Sequence, residues 1–383
     1  MRTKLIYGLG FAAIVSSGLA AQTQVVFPPQ FEKIEASSSS SSYSYGSPFY
    51  STSSASYRSY RYMQVMDLDS KTKGKIASLA FRRDGMRNAG KMVTNVQTEL
   101  ELAFSTSKNG SAALSKTFAS NIGADAVTVI AKKKLNIAAI PFLGTSPEPF
   151  FVRIPFDSGK QFAYDASKGS LLMDMRVYDN NMYDATTKTY KYLDLDLASI
   201  ATYGSTVSYG DGCSYDFYAY PMSYYGSVSV DSAKGNLKLY GSASNGVPGQ
   251  PLVWLSTVNG MSKAGAKLPT GCSLYLDLTK LMAMNVALAD SRGSARWPTT
   301  GYMEFPYNKD YAGLNIDSQA LSINVASGQI YSSNFHRAVV PYWEANKKLA
   351  TARVYKAGTT AQTDADGYGP YVGYSQVMTM TLK

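Results

Sequence analysis

The sequence is poor in the residues that carry most enzyme chemistry: it has one histidine, two cysteines and 17% charged residues among its 383 positions. Four His/Cys ligands for a zinc ion cannot be assembled from that set, and a triad could use only His336. A lone histidine that follows a strand is typical of a packing or loop residue, so we expect no catalytic role for His336. The scarcity argues against an enzyme.

Tyrosine is the residue in excess, with 30 copies, next to 31 glycines and a hydrophobic content of 45%. This hydrophobic fraction is too high for a largely disordered chain. A length of 383 residues allows two or three domains that each bury a core. Many Tyr, Ser and Gly residues with few charges favour β-structure and long polar loops.

The N-terminus has the pattern of a signal peptide. Arg2 and Lys4 precede an apolar stretch at 5–15, and small residues follow up to Ala21. The apolar stretch is shorter than the roughly 18 residues of a membrane span. We therefore predict a signal peptide at 1–21, a secreted, extracellular or cell-surface protein, and no transmembrane segment in the mature chain.

The formal charge is +10, and removal of Arg2 and Lys4 would leave +8. The basic residues are scattered except for small clusters at 132–134 and around Arg82 and Arg83. Such scatter indicates a solubility role rather than a binding patch. The chain has no helix-turn-helix, zinc-finger or RNP-like motif, so we expect no nucleic-acid partner.

The two cysteines, Cys213 and Cys272, each follow a glycine. An even number of cysteines in an oxidising compartment predicts a disulfide, here closing a loop of about 60 residues. The alternative, a reactive thiol pair, is disfavoured because the spacing is not C-x-x-C.

Five segments are predicted along the chain. After the signal peptide, residues 22–57 include an unbroken serine tract and read as a Ser/Tyr-rich flexible linker, with a wall tether as the alternative. Residues 58–203 and 204–340 each show short alternating strands separated by turn residues, as at 96–104 and 236–240. Residues 278–285 are expected to form a short helical turn. A C-terminal extension at 341–383 ends in a strand and could complete one of the domains.

These patterns predict an all-β fold of two consecutive antiparallel β-sandwich domains of a jelly-roll-like kind, the second holding the disulfide.

Several motifs carry a resemblance. In the first half they are RYMQVM at 61–66, IASLAFRRD at 76–84, FSTS at 104–107, LSKTFASNIGAD at 114–125 and FAYDASKGSLLMD at 162–174. In the second half they are the paired Gly-Cys motifs, 252–256, 268–275 and 313–320. Residues 60–335 thereby resemble uncharacterised secreted β-rich proteins of planctomycete-type bacteria. The first half is similar to a domain also seen in PEP-CTERM-bearing proteins, and the second to a paired Gly-Cys domain. The resemblance implies export and a β-rich fold and transfers no catalytic residue.

Two pairs of carboxylates, Glu99/Glu101 and Asp194/Asp196, occur at i, i+2 and would share one side of a strand. Such spacing could serve a polysaccharide hydrolase. The simpler interpretation is the solvent face of a half-buried strand, because each pair alternates with leucine.

Asp364 and Asp366 are candidate ligands for structural calcium, although the surrounding loop lacks the spacing and the distal Glu of an EF-hand. No other cofactor is expected.

Aromatic residues crowd two short stretches of the second half. The first provides a candidate contact surface: Tyr215, Phe217, Tyr218, Tyr220, Tyr224 and Tyr225. The second contains Tyr302, Phe305, Tyr307 and Tyr311. Exposed tyrosines can stack on sugars or contact proteins, whereas packing at the end of a sandwich or between domains is the alternative.

The sequence therefore favours a non-catalytic secreted or cell-surface structural protein whose partners are envelope or matrix proteins. Self-assembly would add a terminal strand, 22–27 or 372–382, to a neighbour's sheet edge. The alternative function is a carbohydrate-binding module whose Tyr-rich loops contact extracellular polysaccharide.

Overall fold

The computed structural model describes residues 23–36, 48–49, 58–85, 96–140, 147–180, 183–184, 189–190, 193–215, 220–358, 363 and 366–383. The predicted signal peptide and the serine tract lie outside these ranges.

Regular structure in the described ranges consists of strands and 3-10 turns, without an α-helix, which confirms the all-β prediction. The strands of the first half are β1 (Thr23–Phe27), β2 (Tyr60–Met66), β3 (Lys73–Phe81), β4 (Val96–Thr106), β5 (Val127–Ile137), β6 (Val152–Ile154), β7 (Phe162–Asp165), β8 (Leu171–Asn180), β9 (Tyr183–Asp184), β10 (Thr189–Tyr190) and β11 (Leu197–Ser199). Those of the second half are β12 (Thr206–Tyr209), β13 (Ser223–Asp231), β14 (Asn236–Ser244), β15 (Pro251–Val258), β16 (Met261–Lys267), β17 (Ser273–Leu276), β18 (Leu281–Leu288), β19 (Ala295–Trp297), β20 (Met303–Pro306), β21 (Asn315–Asn324), β22 (Gln329–Ser332), β23 (Phe335–Val339), β24 (Thr351–Ala357), β25 (Tyr368–Val372), β26 (Tyr374–Gln376) and β27 (Met378–Leu382). The 3-10 turns are Pro29–Phe31, Ser111–Ala113, Phe118–Ser120, Ala166–Lys168, Leu278–Lys280 and Lys309–Tyr311.

The first sandwich packs a six-stranded sheet, β25-β24-β2-β8-β4-β5, against a five-stranded sheet, β1-β27-β3-β6, in which β7 also pairs with β3. In β4, alternate residues from Val96 to Phe104 point into the core, as the sequence predicted. Phe104 meets Phe162 of the facing sheet at 6.2 Å between ring centroids. Residues of both sheets thus form one continuous core.

Strand β2 is buried on both faces. Tyr60, Tyr62 and Met66 belong to the core between the sheets. Met63 and Val65 pack on the opposite face in a second cluster with Leu114 and Phe118, which lie in the loop between β4 and β5. This loop covers the outer side of the six-stranded sheet.

The second sandwich packs the sheet β12-β23-β21-β15-β18 against the smaller sheet of β13, β14, β19 and β20. Inward residues of β13 and β14, such as Val228 and Leu239, meet Trp254, Ile316 and their neighbours from the larger sheet. The hairpin β16–β17 lies over the outer face of the larger sheet through Leu274 and Leu276, which pack on Leu255.

The domain boundaries differ from the sequence prediction. Residues 341–383 contribute β24, β25 and β27 to the first sandwich, and β27 lies between β1 and β3. The second sandwich is therefore inserted between parts of the first, and the two are not strictly consecutive. Local strand patterns do not reveal such pairing, because it joins residues of β2, β3 and β1 to partners about 285 to 359 positions away.

Residues 23–36, assigned by sequence to the flexible linker, are folded. Thr23–Phe27 pairs with β27, and Phe31 is fully buried. Arg82 anchors this arm, since its guanidinium donates hydrogen bonds to the carbonyls of Phe31 (2.8 Å) and Ile34 (2.6 Å). The apolar residues before the serine tract supply the burial that a linker lacks.

None of the helices in the described part of the chain has the length and hydrophobicity of a membrane-spanning segment.

Candidate functional site

The aromatic stretch 215–225 does not form one surface. Tyr220 and Tyr225 are 73% and 54% exposed, whereas Tyr224 is 4% exposed. Tyr224 faces the second core with Trp254, and burial raises its pKa. The split follows from strand alternation in β13, which sends neighbouring side chains to opposite faces. Phe217 and Tyr218 lie outside the described residues.

Tyr215 belongs to the surroundings of the disulfide. Cys213 and Cys272 are bonded, with 5.7 Å between their Cα atoms and 59 positions between them in sequence, which confirms the predicted pair. Tyr215 packs edge-on against Tyr331 at 5.5 Å between ring centroids, next to the half-cystines. Tyr215 therefore has a structural role.

A different set of tyrosines shares the outer face of the smaller sheet in the second sandwich. Tyr225 of β13 and Tyr240 of β14 point away from the buried residues that alternate with them. The Tyr225 ring also packs at the strand edge, 5.4 Å from the ring of His336 in β23. Tyr302, next to β20, has its ring 6.1 Å from that of Tyr240. Tyr203 bridges to Ser229 on the other side of β13 and is 69% exposed. We call Tyr203, Tyr225, Tyr240 and Tyr302 the tyrosine face.

The sequence pointed to Tyr225 and Tyr302 of this face and missed Tyr203 and Tyr240. The alternation at 236–244 was the available signal for Tyr240. Tyr203 could not be found in this way, because it meets the sheet through a single bridge.

Most of the charged side chains beside the tyrosine face form ion pairs. Lys238 Nζ lies 2.8 Å from Asp231 and 4.0 Å from Glu304, and 5.3 Å from the centroid of the Tyr302 ring. The hydrogen bond between Lys238 and Asp231 lowers the pKa of Asp231 and raises the pKa of Lys238. Asn236 donates a hydrogen bond to Glu304 at 3.1 Å. Arg296 of β19 lies opposite Ser242, is exposed on the same face and lies outside these pairs, so the surface is aromatic and polar with one additional positive charge.

The second unusual surface is strand β18, which we call the apolar edge. Its sequence, LMAMNVAL, has no charged residue. Met284, Val286 and Leu288 are 63%, 55% and 73% exposed. Within the described strands β18 pairs only with β15, so its other side is a sheet edge. The sequence predicted a helical turn at 278–285; the turn is confined to Leu278–Lys280, and the strand begins at Leu281.

The two faces of the apolar edge have different neighbours. Ala283 and Ala287 contact the second core, whereas Met284 and Val286 lie opposite Leu255 and Val253, in register on the outer face. The Val286 N–H donates a 2.8 Å hydrogen bond to the side-chain oxygen Oδ1 of the preceding residue, Asn285. This places the Val286 N–H on the solvent side of the strand, where an added strand would form its hydrogen bonds.

The pair Glu99/Glu101 occupies a half-exposed strand face, as the simpler interpretation predicted. Lys132 Nζ lies 3.9 Å from Glu99, and Arg176 Nε lies 3.9 Å from Glu101. Both carboxylates thus lie beside cations that suit a surface ion pair.

For Asp194/Asp196 the predicted solvent face is wrong, since these residues are only 8% and 0% exposed. Asp196 accepts a 2.7 Å hydrogen bond from Arg82 Nε, and the carbonyl of Asp194 accepts one from the Asp84 N–H. Burial raises the pKa of Asp196, whereas Arg82 lowers it. The pair joins β3 to the segment before β11 and is not presented to a substrate.

His336 and Asp366 also hold structural bonds. His336 is 2% exposed, with Nδ1 at 3.0 Å from Ser208 Oγ and Nε2 at 2.8 Å from the Gly226 carbonyl. Asp366 pairs with Lys116 at 2.7 Å. Asp364, the other candidate calcium ligand, lies outside the described residues. In the part of the chain that is described, no group of three or more His, Cys, Asp or Glu side chains could hold a metal ion.

No family model matches the chain, and no curated protein matches it. Among solved structures, a Bacteroides uniformis beta-glucuronidase aligns with 74% of this chain and 26% of its own length, at 9% identity and a TM-score of 0.15. A calcium-binding mutant of Bacteroides uniformis beta-glucuronidase 2 aligns with 88% of this chain and 33% of its own, at 9% identity and a TM-score of 0.16. The chain spans about a quarter to a third of these proteins, and the scores are too low to support an argument.

Proposed function

We propose that this chain is a non-catalytic structural or interaction protein of the cell exterior that associates with further copies of itself through strand addition. The apolar edge carries the proposal, because it combines exposed aliphatic side chains with an open sheet edge. Contiguous exposed apolar surface on a folded protein is typical of an interaction site. The disulfide supports a location outside the cytoplasm.

Three other sheet edges, at β5, β12 and β25, carry features that discourage pairing. Strand β5 has three consecutive lysines at 132–134, and β25 contains Pro370, which has no N–H to donate. Strand β12, at the opposite edge of the same sheet as β18, has only four residues. The apolar edge has eight residues and neither charge nor proline. This contrast favours β18 as a pairing edge.

A second copy of the strand is a suitable occupant. In an antiparallel pair centred on Asn285 of both copies, Met284 of one copy lies opposite Val286 of the other. Directly opposed residues share a face in antiparallel sheets, so the exposed side chains of both copies would cover each other. No like charges oppose one another, since β18 is uncharged. Asn285 must release the Val286 N–H for the new ladder to form.

The terminal strands have partners within the chain. Thr23–Phe27 pairs with Met378–Leu382, which also pairs with β3. Met378–Leu382 is flanked on both sides, whereas Thr23–Phe27 forms the edge of its sheet, so donation of this terminal strand stays a prediction beside pairing at β18.

The test is sedimentation velocity of the mature chain over a wide concentration range. One pair of eight-residue strands should bury less than the roughly 1,200 Å² of a stable interface, so we expect a dissociation constant in the micromolar range or weaker. Val286→Lys places a charge on the pairing face and should shift the chain to monomer. Val286→Pro removes the outward N–H and should do the same.

Val325→Lys is the matched control, because Val325 is 66% exposed and lies in a turn outside strand β18. It should associate like the natural chain. A natural chain that stays monomeric at every concentration contradicts the proposal. Association that both Val286 variants retain would also contradict it, because the interface would then lie elsewhere. Binding of the β18 edge to a different envelope protein, without self-association, would contradict it as well.

A further inference from the structure

We propose that the tyrosine face is a binding site for an extended, neutral polysaccharide. The proposal does not rest on association through the apolar edge, which belongs to the other sheet of the second sandwich. The sequence predicted carbohydrate binding on the loop tyrosines at 215–225; of these, only Tyr225 belongs to the sheet surface proposed now.

The tyrosines lie at distances that suit several contacts along one glycan chain. Tyr240 pairs directly with Ser227, so Tyr225, two positions along β13, is a diagonal neighbour at roughly 7–8 Å. Tyr203 is opposite Ser229, which places it two strand spacings across and two residues along from Tyr240, or roughly 12 Å away. Together with the Tyr240–Tyr302 ring pair, the aromatic contacts cross three adjacent strands and the Tyr203 segment. Rings held in this way lose little conformational entropy on binding.

Hydroxyl groups lie between the rings. Outward positions of β13 are Ser223, Ser227 and Ser229, and those of β14 include Ser242 and Ser244. Tyrosine combines an apolar ring with a polar tip, and serine adds small donors and acceptors. Sugars have the complementary character, with C–H patches for the rings and hydroxyls for the serines.

Lys234, Lys238, Asp231 and Glu304 form ion pairs near the face, which favours a neutral ligand, and Arg296 of β19 adds one exposed cation outside these pairs. Lys238, the cation nearest the Tyr302 ring, is paired with Asp231 and lies near Glu304. An acidic polysaccharide would have to compete with those carboxylates for Lys238. The surface is an open sheet face, and an extended chain can contact several tyrosines at once, whereas a single sugar would meet only one or two.

Affinity electrophoresis tests the site, with the mature chain run through gels containing soluble β-glucan, xylan or mannan. Alginate and polygalacturonate are the acidic comparators. We expect retardation by at least one neutral polymer and a roughly three- to tenfold weaker affinity for Tyr302→Ala and for Tyr225→Ala. Tyr302→Phe should keep most of the affinity, because it keeps the ring. Tyr368→Ala is the matched control, since Tyr368 is 58% exposed in the first sandwich.

The same gels run with Val286→Lys protein separate this proposal from self-association. Retardation of that variant by a neutral polymer supports the tyrosine face whether or not the natural chain associates. The proposal is wrong if no neutral polymer retards the chain, if the acidic polymers retard it more strongly, or if Tyr225 and Tyr302 can be replaced without effect. Loss of self-association in Tyr302→Ala, without polysaccharide binding, would make this face a protein interface instead.

Discussion

His336 should make the stability of the second sandwich sensitive to acid. It is the only imidazole of the chain, and its Nε2 lies 2.8 Å from the Gly226 carbonyl. A carbonyl only accepts, so Nε2 carries the proton, and Nδ1 of the neutral ring accepts from Ser208. Burial lowers the pKa of His336 from 6.5 to about 4, with the bond to Gly226 acting in the opposite direction.

The size of the effect follows from these two pKa values. Between pH 6.5 and 4 the unfolded chain binds a proton at His336 that the folded chain does not bind. The contribution to stability is therefore complete above pH 6.5 and is lost as the pH falls through 4. At 1.36 kcal/mol for each unit of pKa, the loss amounts to about 3 kcal/mol. That is a large part of the roughly 5–15 kcal/mol that stabilises a typical domain.

Urea unfolding of the natural chain and of His336→Gln at pH 7, 6, 5 and 4 measures this contribution. Glutamine can still donate to Gly226 but does not titrate, so its free energy of unfolding should fall less steeply with acid. Carboxyl groups titrate in both proteins and cancel in the difference. The single histidine signal in an NMR titration gives the folded pKa directly. Equal pH dependence of the two proteins, or a folded pKa near 6.5, would refute the reasoning.

Three further outcomes follow from buried or cross-linked groups. Replacing Cys213 and Cys272 by Ser should remove about 4 kcal/mol from the free energy of unfolding in guanidinium, because the bridge closes a loop of 59 positions; an unchanged midpoint would contradict this. Arg82→Met should cost about 3–5 kcal/mol by leaving the Asp196 carboxylate buried without its partner, and adding Asp196→Leu should restore part of that loss in the same unfolding assay. Burial, with nearby Asp196, raises the pKa of Glu35 well above 4.5, so its contribution is present below that pH and lost as the pH rises through the folded pKa. Glu35→Gln should therefore gain stability relative to the natural chain from pH 4 to 8, and a constant difference would disprove the assignment.

Local alternation was enough to predict individual strands. The pattern at 96–104 became β4, and 236–240 opens β14, because both lie half-buried over a core. The same information cannot rank partners for a strand. Thr23–Phe27 pairs with Met378–Leu382, which lies more than 350 positions away, so no local window contains both strands.

Sequence alternation also does not determine which of the two faces of a strand is exposed to solvent. Asp194 and Asp196 alternate with leucines as solvent-facing acids do, yet Arg82 turns this side into a buried contact. The aromatic stretch shows the same limit. Tyr224 and Tyr225 are adjacent in sequence, and only the position of the opposing sheet decides that Tyr224 is core and Tyr225 is surface.

In the apolar edge, the difference between the sequence pattern and the observed exposure bears on the proposed function. A strand that is apolar on both faces, as LMAMNVAL is, is typical of the centre of a sheet covered on both sides. Here the chain places it at a sheet edge, where Met284, Val286 and Leu288 remain exposed. The exposure has a cost in solubility that a few lysines could remove, as they do in β5. Violations of such local rules are expected at functional sites, and the proposed pairing of two β18 strands would cover this exposed surface.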